Sequence, residues 1–370
     1  MKITVLSHNL SSNASMRAHR LALAARAFAE VQVVGPVEKG GLWPALPEES
    51  WIRTVPEGRF PRFYRSFLEL IQLCQGSDVL IAVKPQLASY GAALVASEKL
   101  DIPVILDVDD LDTGFAPRAE WAAKPSMADL SRPGSAVFVS LLSRAGGAAS
   151  AVTSASRSLQ KRFGGTLIPH GSDTERFNPP MIDRSSVRRE FGFSGPTVLF
   201  AGTPRWHKGL KPLAKAVGSV AGATLAVLCR PADLAEKSWS KYPIQRLSPI
   251  PYHDLPRLLA AADLVAVPQL DTEVTRYQMP MKIYDCMAMG KPIVASAVSD
   301  LPEVLEGCGM LVPPGESEAL AAAIRNLLEN PALSAELGRK ARERCLDNFT
   351  IGHLSERLRG VVEAVVRRGA

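Results

Sequence analysis

The chain is short of paired cysteines, of aromatic residues (6 %) and of long apolar runs. Each scarcity excludes something. No stretch approaches the roughly 18 uninterrupted apolar residues that a membrane-crossing helix needs. The five cysteines, Cys74, Cys229, Cys286, Cys308 and Cys345, are odd in number, scattered and free of any CxxC pair. That argues against a disulfide frame or zinc site and for a reducing compartment. The opening MKITVLSHNL has one lysine and a short strand-like run, with neither an apolar h-region nor an A-x-A site. It does not read as a signal peptide, so a cytoplasmic protein is expected. Low-complexity segments and internal repeats are missing as well. Neither sign of charge dominates: the net charge of +6 suits anionic partners such as phosphates, acidic lipid or nucleic acid, and ranks none of them.

What is present points to two domains. At 370 residues the chain is too long for one ordinary core, and 46 % hydrophobic with 22 % charged residues is enough for two. Short β-branched runs alternate with helix-patterned segments: KITVLS, then RAHRLALAARAF, then VQVVGP, DVLIAVK, PVILDVDD and AVTSAS. Buried continuous runs between amphipathic segments predict parallel βαβ units. The pattern breaks at GGTLIPHGSDTERFNPPMIDRSS, so a linker is expected near residues 165–180. It restarts with TVLFAG, TLAVLC, IQRLSPI, DLVAVPQ, PIVAS and GMLVPP, and two long helical stretches close the chain. The expectation is two doubly wound α/β domains in tandem. Ligands in such folds sit at the carboxyl ends of strands, and two such domains facing each other form a cleft.

Several constellations can carry chemistry. In VLFAGTPRWHKGLKPLAKAV a strand runs into a turn, then Arg205, His207, Lys208 and Gly209 before a helix. Two cations there suit a diphosphate through charge-assisted bonds, or form a solvated basic loop. In MPMKIYDCMAMGKPIVAS, Pro280 fits the first turn of a helix, and the free N–H groups beside it favour an anion. Lys282 in that turn opposes the helix dipole, which hints at a bound anion. Asp285 is either a helix-face acid or an acceptor for ribose hydroxyls, and Met287 and Met289 read as packing residues. Asp107, Asp109 and Asp110 in ILDVDDLDTGF end a strand, where clustered carboxylates can bind a metal, orient a hydroxyl or raise one another's pKa. Residues 58–71, GRFPRFYRSFLELI, interleave Arg59, Arg62 and Arg65 with Phe60, Phe63, Tyr64 and Phe67. That stretch is either a membrane-interface segment or a helix with snorkelling arginines. No recognised nucleic-acid module accompanies the charge.

Lys208-Gly209 after a strand, PMKIYDCMAMGKPIVAS and the following LPE together resemble a family-4 retaining glycosyltransferase of the GT-B fold (glycosyl transferases group 1). IPHGSDTERFNPP is similar to the family's linker, and AADLVAVPQ to the strand before the donor helix. The resemblance is strong over residues 150–350 and covers the first half mainly by layout. It implies two Rossmann-like domains with an interdomain cleft. Residues 1–170 with the helix 351–370 would bind the acceptor, and residues 171–350 the donor. It also implies transfer of a sugar from a nucleotide-sugar donor to a glycan, lipid-linked or small-molecule acceptor with retention, needing no metal or other cofactor.

Carried over by position, Lys208 would grip the diphosphate with help from Arg205, which stands off register because Thr203 occupies the family's usual arginine position. The implied donor set is Lys208, Arg205, Tyr277, Pro280, Met281, Lys282, Ile283 and Asp285, with Ser12 and Asn13 from the first domain. Asp285 takes the second acid of the family's Glu-x7-Glu pattern, Tyr277 stands where the first would be, and Glu273 is off register. Ser12 and Asn13 replace a Gly-Gly loop and can equally cap a helix. Lys208, Arg205, Asp109 and Asp110 form the expected catalytic set, the two aspartates on the acceptor side. Glu303 reads equally as a helix-start acid, and His170, where the family has asparagine, as structural. A peripheral membrane contact through residues 58–71 is part of the expectation, and nucleic acid is not. Two rivals remain: a nucleotide-sugar epimerase of the same plan, and a non-catalytic sugar-nucleotide-binding protein, favoured only by the missing first glutamate.

Overall fold

A computed structural model describes residues 1–47, 49–115, 127–200 and 202–369. It divides into two compact units, Met1–His170 with Ile351–Ala370, and Gly171–Thr350.

In the first unit, β1 (Lys2–Ser7), β2 (Glu30–Val37), β3 (Ile52–Pro56), β4 (Val79–Val83), β5 (Val104–Val108), β6 (Ala151–Ser154) and β7 (Thr166–Leu167) form one sheet. Its order is β3-β2-β1-β4-β5-β6-β7 and every pairing is parallel. The second sheet runs β10 (Ile244–Leu247), β9 (Thr224–Leu228), β8 (Thr197–Phe200), β11 (Leu264–Val267), β12 (Ile293–Ser296), β13 (Met310–Val312), again parallel throughout. β4, β5, β8, β11 and β12 are buried along their whole length, as strands covered by helices on both faces must be, hence their mostly apolar, β-branched composition, with Asp107, Thr197 and Ser296 the buried polar exceptions.

Most of the expected strands are present; Ala201, inside the TVLFAG run, lies outside the described residues. Two were not expected. β3 turns only one residue inward and ends on Pro56, as an edge strand does. β7 is two residues long and falls within the segment read as linker.

In each sheet the strand order reverses once, between β1 and β4 and between β8 and β11. Such switch points open a crevice at the carboxyl ends of the strands. Register fixes what stands there in the first unit: Ser7 pairs with Val83, and Val83 with Asp107. His8 and Lys84 therefore leave the sheet side by side, with Asp109 and Asp110 just past the end of β5.

One buried tie anchors the helix Ser15–Ala25 to this sheet. Arg17 Nε and Nη2 donate to the two carboxylate oxygens of Asp107 at 2.9 and 2.8 Å, and Nη2 also reaches the Ile168 carbonyl at 2.8 Å. His170 Nδ1 accepts from Arg17 Nη1 at 3.2 Å, and Thr153 Oγ1 donates to Asp107 at 2.7 Å. The expected linker histidine is thus a buried structural partner. Arg59, Arg62, Arg65 and Tyr64 are exposed, whereas Phe63 packs inward on the helix Phe63–Leu73. Among the described residues no helix is long and apolar enough to cross a membrane.

Candidate functional site

In the second unit the loop after β8 is pinned to the loop after β11. Gly209 has φ +69°, and a Cβ there would lie 1.8 Å from the Pro268 carbonyl oxygen, so only glycine fits. One residue earlier, Lys208 Nζ donates to Gln278 Oε1, and the Leu270 N–H donates to the buried His207 carbonyl at 3.0 Å. Thr275 stiffens the facing loop by donating to the Leu270 carbonyl at 2.5 Å. These ties hold Lys208 at the β8/β11 switch point, while Arg205 and Trp206 (71 % exposed) project from the same turn.

The helix Lys282–Ala288 follows. Pro280 and Met281 are half-buried at its start, and their carbonyls accept from the N–H groups of Ile283 and Tyr284 at 3.1 and 3.2 Å. Asp285 is 3 % exposed, and its Oδ1 takes a 2.8 Å bond from the Ser172 hydroxyl. Lys282 borders a small cavity with Leu199, Leu228, Leu259 and Cys286, and burial holds its ammonium below the usual lysine pKa. Tyr277 is half-buried, and Glu273 and Glu303 are exposed. Ile283 is wholly buried, and its N–H is the one that donates to the Pro280 carbonyl.

In the first unit the expected carboxylates are joined by a residue the sequence reading passed over. Lys84 is 4 % exposed, and its Nζ lies 2.9 Å from Asp109, 2.6 Å from Asp110 and 3.7 Å from Asp112. Gln86 Nε2 donates to Asp112 at 3.1 Å. Burial opposes the charge on Lys84, but the three carboxylates outweigh it and hold the ammonium well above its ordinary pKa. Burial and the neighbouring acids outweigh Lys84 at Asp109, pushing its carboxyl up to about 7. Burial and the Lys84 charge keep His8 neutral, with a pKa near 3. Among the described residues, no group of three or more His, Cys, Asp or Glu is arranged to hold a metal ion.

Ser12 and Asn13 follow β1, half-buried and exposed respectively. Neither caps the helix Ser15–Ala25 through its side chain; the capping position is Ala14, and Ser12 contributes its carbonyl to Ser15. The capping alternative is not realised. Gln278 and Lys84 are the residues missed: the first sits among the motif residues at Tyr277–Pro280, and the second is a lysine ending an apolar strand.

Residues 195–330 match the family model described as glycosyl transferases group 1. The chain is 26 % identical over 224 residues to a GDP-mannose-dependent monoacylated alpha-(1-6)-phosphatidylinositol monomannoside mannosyltransferase of Corynebacterium glutamicum, covering 54 % of this chain and 56 % of that one. It is 30 % identical over 219 residues to alpha-maltose-1-phosphate synthase of Mycolicibacterium smegmatis, covering 51 % and 54 %. The chain thus spans about half the length of these curated relatives. The solved structure of Anabaena HepE in complex with UDP and glucose superimposes with a TM-score of 0.73 at 21 % identity, covering 98 % of this chain and 100 % of that one. The family model and the first of these relatives carry the names of transferases. With the two parallel sheets these likenesses place residues 195–330 in the glycosyl transferases group 1 family and give the chain the GT-B fold.

Proposed function

We propose that the chain is a retaining glycosyltransferase, moving a sugar from a nucleotide-diphosphate sugar to the hydroxyl of a glycan, lipid-linked or small-molecule acceptor. The observation that carries this reading is Lys208, held at the β8/β11 switch point within the segment that matches the family. Residues 171–350 bind the donor on this reading. Lys208 and Arg205 neutralise the diphosphate as its bond to the sugar breaks, placing fixed positive charge where negative charge develops. The start of the helix Lys282–Ala288 and Asp285 complete the donor side, with Asp285, which Ser172 holds in place, facing the ribose on this reading. On this reading Ser12 and Asn13, after β1, belong to the donor-binding set.

Residues 1–170 and 351–370 bind the acceptor, whose hydroxyl is oriented by Asp109 and Asp110. The hydroxyl attacks on the face the diphosphate leaves, and its proton goes to the departing phosphate oxygen. No carboxylate is assigned as a covalent nucleophile, and no metal enters the scheme. The exposed Arg59, Arg62, Arg65 and Tyr64 make a peripheral contact with an anionic membrane, which suits a lipid-linked acceptor of a cytoplasmic enzyme.

The test is donor protection followed by turnover. Thermal shift with UDP-, GDP- and ADP-sugars should show one nucleotide class stabilising the wild type and losing its effect in Lys208→Ala. Product analysis with that donor should then show a new glycosidic bond. A well-folded protein that no donor stabilises would remove the transferase reading, and donor protection without any product would favour the non-catalytic sugar-nucleotide-binding protein.

A further inference from the structure

Lys84 stands at the end of β4 with φ +69°, a left-handed backbone that ordinary residues adopt at a cost. Its backbone is held there from three sides. The Lys84 N–H donates to the Asp107 carbonyl at 2.8 Å, and its own carbonyl accepts from Ser89 Oγ and the Gln86 N–H, each at 2.8 Å. Glycine would meet the backbone requirement without strain, so the side chain is what the position retains lysine for. That side chain is buried against Asp109, Asp110 and Asp112 at the crevice between β1 and β4.

Resting on the transferase reading above, we propose that Lys84 is a positioning residue for the acceptor. Its ammonium clamps the carboxylates of Asp109 and Asp110 at the switch point, so that they meet an incoming hydroxyl as a fixed pair of acceptors. Without a cation between them, adjacent carboxylates repel, separate and take up protons. With one, the pair is held in one geometry, and that preorganisation is what orients a nucleophile.

The neighbouring groups Arg17, His8 and Gln86 are already engaged or neutral. Arg17 is committed to Asp107 behind the cluster. His8, from the β1 side, is held neutral, and its Nδ1 is buried without a partner among the described residues. Gln86 is uncharged and bonded to Asp112. Lys84 is the cation seen to bridge Asp109, Asp110 and Asp112.

Two variants test this: Lys84→Asn, neutral and tolerant of left-handed backbone, and Lys84→Arg. Each is assayed with UDP-glucose and GDP-mannose against water, methyl glycosides and myo-inositol, with donor protection followed by thermal shift. The expected result for Lys84→Asn is an unchanged donor-induced Tm shift, a raised acceptor KM, a displaced pH–rate profile and transfer reduced about a hundredfold. Lys84→Arg should recover part of the loss. Wild-type acceptor KM and pH profile in Lys84→Asn would overturn the proposal, and so would a donor KM that rises in step with the acceptor KM. Should the wild type turn over none of these pairs, the transferase reading fails on its own terms, and carboxyl NMR titration decides the clamp. Higher midpoints for Asp109 and Asp110 in Lys84→Asn support it, and an unchanged titration overturns it.

Discussion

Gly209 is the residue on which the donor loop turns. An added methyl would collide with the backbone oxygen of Pro268 at 1.8 Å, and that oxygen cannot swing away as a side chain could. Gly209→Ala should therefore cost about 3 kcal/mol or more, and should displace Lys208 from Gln278. Calorimetry and donor thermal shift check this together: a lowered Tm and lost donor protection are expected, and a variant within about 0.5 kcal/mol of wild type would contradict it. Lys208 and Gly209 were legible in the sequence because strand, turn and cation fall within one short run. Their partners were not. Gln278 lies 70 residues from Lys208, and Lys84 lies 26 from Asp110, so each pairing is made by the sheet and leaves no periodic mark on the chain. Lys84 was hidden further by its place at the end of an apolar strand, where a lysine reads as the first solvated loop residue.

Strands covered on both faces announced themselves as near-continuous apolar runs, whereas β3 and β7 did not. An edge strand with one inward side chain, or a bridge of two residues, carries too little pattern to separate from loop. The lock on the helix Leu255–Ala261 was equally invisible. Its last carbonyls are taken by cations: Ala260 by Arg184 at 3.2 Å, Ala261 by Arg188 at 2.9 Å, and Ala262, just past the end, by Lys291 at 2.5 Å. Cations at a helix carboxyl end complement the dipole. Asp263 binds the two arginines at 2.5 and 2.9 Å and accepts the Thr197 N–H at 2.8 Å, tying the start of β8 into the same knot. Against the opposing effect of burial, the Thr197, Arg188 and Arg184 bonds hold the Asp263 carboxyl below the usual range. A depressed folded-state pKa stabilises above the unfolded value, about 4, and the contribution is lost as pH falls through the folded one. Asp263→Asn should thus cost about 2 kcal/mol at pH 7, with the gap to wild type narrowing toward pH 3. Urea melts at both pH values test it, and a pH-independent difference would show that the charge is not what matters.

At the scale of the whole molecule, the last helix closes a core begun by the first strand. Ile351–Gly369 presents Leu354, Leu358, Val361, Val362 and Val365 on one face, at the spacing of a helix buried along a stripe. They join Ile3, Leu21 and Val33 in the core of the first unit, against the helix Ser15–Ala25. Five such side chains, at about 1.5–3 kcal/mol each, are worth roughly 10 kcal/mol, which is comparable to the net stability of an entire domain. A chain ending at Thr350 should therefore lose the first unit's cooperative unfolding, although it retains all seven strands of that sheet. The second unit has a separate core built on Val198, Leu213, Leu225 and Ile324, to which this helix contributes nothing. Hydrogen exchange distinguishes the two. Amides of β1, β2 and the helix Ser15–Ala25 should lose protection in the truncated chain, while those of β8, β11 and β12 keep theirs. Protection lost equally in both units would mean that they fold as one cooperative body, and protection kept in β1 would mean that the first unit's core is closed without its final helix.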